Sequence, residues 1–178
     1  EVIFRGDFRA RVPFAEIKSI AVKGDSLTLK WPGGLLALEL GAAAAGRWAD
    51  RIENPPSRLD KLGVKSGARV ALVGSFDFDD AFEGELAKRG AVLTTRGAVD
   101  VLFFAPASPV DLERVATLAK RLTPAGGFWI VRPKGASTPI TEGATRSAGL
   151  AASLVDVKVA AFSATHSTLK FVIPVANR

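Results

Sequence analysis

The residues best equipped for chemistry gather in two short stretches. Arg132, Lys134, Ser137 and Thr138 place two cations and two hydroxyls on one glycine-bearing loop, Arg132-Pro133-Lys134-Gly135-Ala136-Ser137-Thr138. Such a set can cradle a carboxylate or a phosphate through charge-assisted hydrogen bonds, and an ordinary solvated loop carries the same residue types. The second stretch is Gly74-Ser75-Phe76-Asp77, where an apolar run ends and an acidic segment starts. A nucleotide-type cofactor needs glycines at such a turn so that the backbone can come close to it. Only Gly74 stands in place; the chain continues Phe76-Asp77-Phe78-Asp79-Asp80. The two Phe rings are expected to fill the cofactor's space. Asp77, Asp79 and Asp80 favour a helix start and repel a phosphate there. The next strand ends Thr94-Thr95-Arg96, where an acid for a ribose would be required. On these grounds no cofactor is expected, and Gly74, Ser75 and Asp77 read as a former cofactor turn. His166 is the one histidine, in Thr165-His166-Ser167 with no carboxylate beside it, which suits an exposed turn residue better than a catalytic base. One His and no Cys argue against a transition-metal site. No P-loop, paired-carboxylate or Ser-His-Asp pattern stands out, and no catalytic residue is assigned.

The elements that must position these residues follow from hydrophobic periodicity. Arg69 to Gly74 reads as a first strand after the lead-in Leu62-Gly63-Val64-Lys65-Ser66-Gly67. A helix over about 78–89 carries Phe78, Phe82 and Leu86 on one stripe and stops at Gly90. Ala91 to Thr95 is the second strand, and Val99 to Ala105 the third, a near-continuous apolar run suited to a buried parallel strand. Ser108-Pro109-Val110-Asp111 is a capping box with Pro in the first turn, and Thr123-Pro124-Ala125-Gly126-Gly127 ends the helix it opens. Phe128 to Val131 is a fourth strand and Thr141 to Ala152 a small-residue helix. Val155 to Phe162 and Thr168 to Val175 are joined by a loop too short for a parallel crossover, so they are antiparallel neighbours.

Residues 1–54 read as a small β module. Ile17, Ile20 and Val22 precede the turn Lys23-Gly24-Asp25, then Leu27, Leu29 and Trp31 alternate, and Leu36, Leu38 and Leu40 follow Pro32-Gly33-Gly34. A closing helix over 42–52 is expected to bury Trp48 and Ile52. Asn54-Pro55-Pro56-Ser57 cannot continue it, so 55–58 is a linker and 59–178 an α/β domain.

Composition bounds the rest. The 178 residues, 48% of them apolar, can bury a full core. No apolar run reaches the length of a membrane span, no signal peptide opens the chain, and a cytoplasmic protein is expected. The chain starts at Glu1 and holds no Met, so an initiator is expected upstream. Residues 120–178 carry 8 Lys or Arg against 2 Asp or Glu, which accounts for the whole net charge of +6. A basic surface in the last third could draw an anionic small molecule. Without exposed aromatics between the cations, nucleic acid is an unlikely partner.

Strands and helices in alternation, closed by an antiparallel pair, resemble the methyltransferase-type Rossmann arrangement. Leu62 to Gly74 resembles the entry to the first motif of such enzymes. Residues 58–178 resemble an uncharacterised bacterial family of unknown function, through Leu59-Asp60-Lys61-Leu62-Gly63-Val64-Lys65, Arg132-Pro133-Lys134-Gly135-Ala136-Ser137, Gly149 to Val159 and Leu169-Lys170-Phe171-Val172. Val12-Pro13-Phe14-Ala15-Glu16-Ile17-Lys18-Ser19-Ile20 with the following hairpin and helix resembles part of a bacterial pleckstrin-homology-like module. These resemblances imply a fold and no activity. The expectation is a non-catalytic binding or assembly module on a degenerate methyltransferase-like fold, with a protein partner or self-association. The alternative is a divergent S-adenosylmethionine-dependent methyltransferase, or an enzyme acting on an anionic small molecule.

Overall fold

The computed structural model describes residues 1–6, 8–135 and 137–178. Asp7 and Ala136, the latter part of the sequence stretch read as an anion cradle, lie outside the described residues. The chain forms two compact units, Glu1–Pro56 and Ser57–Arg178.

In the first unit β1 (Val2–Arg5) pairs with β2 (Arg9–Val12), and β3 (Ser19–Lys23), β4 (Ser26–Trp31) and β5 (Gly34–Glu39) form an antiparallel meander. Leu27 and Leu29 of β4 are fully buried, as strand alternation requires, and α1 (Ala42–Glu53) packs on β3 and β4. The helix buries Ala45, Ala49 and Ile52 and leaves Trp48 44% exposed. The apolar stripe therefore runs through the two alanines, one position round from the expected one.

The second unit is a mixed sheet with helices on both faces, a methyltransferase-like Rossmann fold with an antiparallel carboxyl-terminal pair. In chain order it comprises α2 (Arg58–Leu62), β6 (Arg69–Gly74), α3 (Ala81–Lys88), β7 (Val92–Leu93), β8 (Val99–Ala105), α4 (Val115–Ala119), β9 (Leu122–Pro133), α5 (Glu142–Ala151), β10 (Val155–Ala161) and β11 (His166–Val172). The sheet order is β10-β11-β9-β8-β6-β7, with β7, β6, β8 and β9 parallel and the last two strands antiparallel. The chain leaves β6 for β7 on one side and then returns to β8 on the other. That reversal marks the point where open α/β sheets bind ligands, at the strands' carboxyl ends.

One apolar layer, under α4 and α5, is built from Leu102, Phe104, Phe128, Ile130, Leu169 and Phe171. The other, under α2 and α3, holds Leu62, Phe82, Leu86, Phe103, Trp129 and Phe162. Gly149 of α5 lies so close to the Phe171 ring that any Cβ would collide with it, which gives that small-residue helix its packing reason. Three local differences from the sequence expectation have physical causes. The helix after β6 begins at Ala81, because Phe76 to Asp80 is used as a turn that buries an aromatic side chain. The Ser108–Asp111 capping box forms, but it opens a 3-10 turn over Pro109–Arg114 before α4. Thr123 to Gly127 belongs to β9, where pairing with β8 shifts between Val99 and Val101 and absorbs the extra residues.

Candidate functional site

The turn after β6 is built around two glycine-adjacent decisions. Gly74 has φ +94°, and a Cβ there would run into the Ala105 carbonyl oxygen of β8, so only glycine lets the two strand ends close up. Beyond it, Ser75 and Asp77 are exposed, with the Asp77 amide donating to the Ser75 hydroxyl at 3.2 Å. Phe76 turns the other way. It is 8% exposed, and its ring lies 5.8 Å from that of Phe82 and 6.0 Å from that of Phe162, beneath α3. Phe78 stacks on His166 at 3.6 Å, the two rings nearly parallel. The rings expected to fill the cofactor's space are therefore held by the core and by the β10–β11 turn, and Gly74, Ser75 and Asp77 stay open to solvent.

Arg58 ties this region together, and nothing in the sequence pattern announced it. Its guanidinium pairs with Asp79 and with Glu85 (2.9 Å), donates to the Phe162 carbonyl (3.2 Å), and lies 4.9 Å above the Phe82 ring. Burial works against its charge, but hydrogen bonds to Asp79 and Glu85 outweigh that and raise its pKa above the ordinary value. Asp79 is consequently neutralised by a partner and does not act as a free negative charge at the turn. His166 Nδ1 lies 2.9 Å from the Thr165 hydroxyl. Its pKa is lowered, mainly by burial and further by Lys134, with Asp79 opposing. It is half-buried at the strand carboxyl ends, where β11 starts, rather than exposed as expected.

The proposed anion cradle sits across the same edge. Arg132 is spent on Glu142 (3.0 Å) and on the Pro133 carbonyl. Lys134 Nζ donates to the carbonyls of Ser163 (2.7 Å) and Ala164 (3.1 Å), holding the β10–β11 turn. Thr138 bonds Ile140 through its hydroxyl, and Ser137 is exposed. The structure brings both cations to the same strand end but gives each an internal partner.

Open space lies at the opposite side of the turn. A groove of about 460 Å³ is lined by Leu72 of β6, Glu83 of α3, and Leu93, Thr94 and Thr95 at the end of β7. Its walls are apolar at Leu72 and Leu93, and Glu83 and the exposed Thr95 supply polar groups. The Thr94 hydroxyl is occupied, donating to the Arg96 carbonyl at 2.8 Å. Its volume falls in the range of small-molecule pockets, and it stands at the carboxyl ends where this fold class takes ligands. Among the described residues there is no cluster of three or more His, Cys, Asp or Glu able to hold a metal.

No protein-family model matches the sequence, and no curated protein is similar to it. Solved structures of low identity share its fold. A TehB-like SAM-dependent methyltransferase from Corynebacterium glutamicum is 14% identical, with a TM-score of 0.48 over 74% of this chain and 96% of that one. A SAM-dependent methyltransferase from Aquifex aeolicus is 15% identical, with a TM-score of 0.45 over 68% and 92%. Fibrillarin from Aeropyrum pernix, solved with natively bound S-adenosyl-L-methionine, is 11% identical, with a TM-score of 0.44 over 88% and 99%. The expectation of a non-catalytic module is corrected on the site's geometry: Phe76 packs beneath α3 and Phe78 on His166, and Asp79 is paired with Arg58, so neither the rings nor that carboxylate close the turn. No helix among the described residues is long and apolar enough to cross a membrane.

Proposed function

We propose that the second unit is a divergent S-adenosylmethionine-dependent methyltransferase domain that takes its methyl donor at the carboxyl ends of β6 and β7. The observation that carries this reading is the groove bounded by Leu72, Glu83, Leu93 and Thr95, beside a glycine turn whose outer face is open. The residues present fit such a ligand. Leu72 and Leu93 offer apolar walls for an adenine ring, Glu83 can accept hydrogen bonds from the ribose hydroxyls, and the backbone at Gly74 and Ser75 is accessible to the amino-acid tail. Glu83, on α3, would take the part of the acid that the end of β7 lacks, where Thr95 and Arg96 stand. The donor, when bound, supplies an electrophilic sulfonium methyl. The exposed Asp77, at the same turn, is the side chain available to hold or accept a proton there.

Calorimetric titration with S-adenosylmethionine and S-adenosylhomocysteine tests the reading. Micromolar binding of either, weakened about tenfold by Glu83→Gln, is the expected result. Absence of heat with both compounds would dispose of it.

For the first unit we propose the finer likeness to a partial pleckstrin-homology-like module. The β3–β4–β5 meander followed by α1 packed on it supports that reading.

A further inference from the structure

The eight basic residues of positions 120–178 do not share one fate. Arg132 and Arg146 are held by Glu142, and Arg146 also by Asp156. Arg121, Lys134, Lys158 and Arg178 donate to backbone carbonyls. Lys120 and Lys170 have no hydrogen-bond acceptor and no carboxylate partner among the described residues; Lys120 is exposed just past α4, whereas Lys170 is half-buried on the sheet and the charge acting on it is that of another lysine, Lys158.

The sheet puts Lys158 and Lys170 side by side. Lys170 of β11 is the register partner of Lys158 on β10 and of Trp129 on β9, so the three side chains form one row on the face that carries α2. A bulge between Asp156 and Lys158 sets that pairing. Like charges directly opposite one another across strands repel, and Lys158 is the charge that acts on Lys170. Lys158 Nζ donates to the Lys61 carbonyl at the end of α2 (3.0 Å), and Trp129 Nε1 to the Leu62 carbonyl beside it (3.0 Å). The Lys170 ammonium lies 5.5 Å from the Trp129 ring centre. Its stem lies close over Gly127 and passes Gly63 at ordinary contact distance. A Cβ on Gly127 would come within 2.9 Å of Lys170 Cε, and one on Gly63 within 3.7 Å of Nζ. No fully buried side-chain nitrogen or oxygen in the described residues lacks a partner, so the unpartnered Lys170 ammonium reaches solvent.

We propose that Lys158 and Lys170, framed by Gly63, Gly127 and Trp129, bind a phosphoryl group or similar dianionic oxyanion. Two ammoniums in register supply the matching charge and up to five donors beyond the one Lys158 gives to the Lys61 carbonyl, and the anion removes their mutual repulsion. Burial and Lys158 together lower the Lys170 pKa, the state of a cation waiting for a counter-charge. The site stands apart from the donor groove. S-adenosylhomocysteine carries no phosphate, so each site can fail without the other.

The test uses pyrophosphate as the probe, titrated into the whole chain against chloride at equal ionic strength. Saturable binding is expected, weakened tenfold or more by Lys158→Gln and by Lys170→Gln, and unchanged by Lys120→Gln on the exposed end of α4. In the unsubstituted protein, the 13Cε resonance of Lys170 should titrate at higher pH once pyrophosphate is bound, a readout that survives if a variant fails to fold. Binding no stronger than chloride overturns the proposal, as does equal affinity in both lysine variants. So does a single-stranded oligonucleotide that binds through these lysines while pyrophosphate does not.

Discussion

The two sides of the β6 turn are built on opposite plans. Towards β11, Arg58, Asp79, Glu85, Phe76, Phe78, Phe82, Phe162 and His166 interlock, and every charge has a partner. Towards β7, a two-residue edge strand leaves Val92 54% and Leu93 45% exposed, and Glu83 and Thr95 face a groove without partners among the described residues. The first side spends its chemistry on holding the turn. The second keeps its chemistry available. A charged residue's position at the strand ends is thus weaker evidence of function than whether its hydrogen bonds are already satisfied.

Substitutions can break that contrast, beginning with the core. Phe82→Ala removes a fully buried ring from the aromatic layer and should cost about 3–5 kcal/mol in urea denaturation. Arg58→Ala should cost about 2 kcal/mol, because it leaves Asp79 part-buried and unpaired; Arg58→Lys should restore only part of it. Gly74→Ala, at φ +94° and against the Ala105 carbonyl, should cost about 1–3 kcal/mol. On the other side, Glu83→Gln and Thr95→Val should leave stability within about 0.5 kcal/mol while weakening donor binding. A stability loss from Glu83→Gln as large as that from Arg58→Ala would erase the distinction.

The smallest effect is with pH. The folded pKa of His166 lies below the ordinary value, so the unfolded chain binds the proton more readily. The contribution is present above the unfolded pKa and is lost as pH falls from there through the folded value. The denaturation midpoint should therefore drop as pH is lowered below about 6.5, and His166→Gln should flatten that drop.

Much of this framework is legible in single stretches. Val99 to Ala105 announces a buried parallel strand because every second residue need not be polar there, and it forms at those bounds. The Ser108–Asp111 box is a local set of hydrogen bonds, and it is present. Arg58 was illegible for the opposite reason. Its partners Asp79, Glu85 and Phe162 lie 21, 27 and 104 positions away, and no periodicity encodes them. The orientation of Phe76 was misjudged because sequence places a bulky ring at a turn without saying which side of the sheet it enters. The groove was equally hidden, since it depends on β7 stopping after two residues.

The central claim is that the open side binds the donor. Amide chemical-shift mapping during addition of S-adenosylhomocysteine tests it most directly. The account predicts saturable shifts at Leu72, Gly74, Ser75, Glu83 and Leu93 to Thr95, with Arg58 and the Phe82 and Phe162 amides little changed. Shifts centred on Phe78, Phe162 and His166, or none at all, would contradict it.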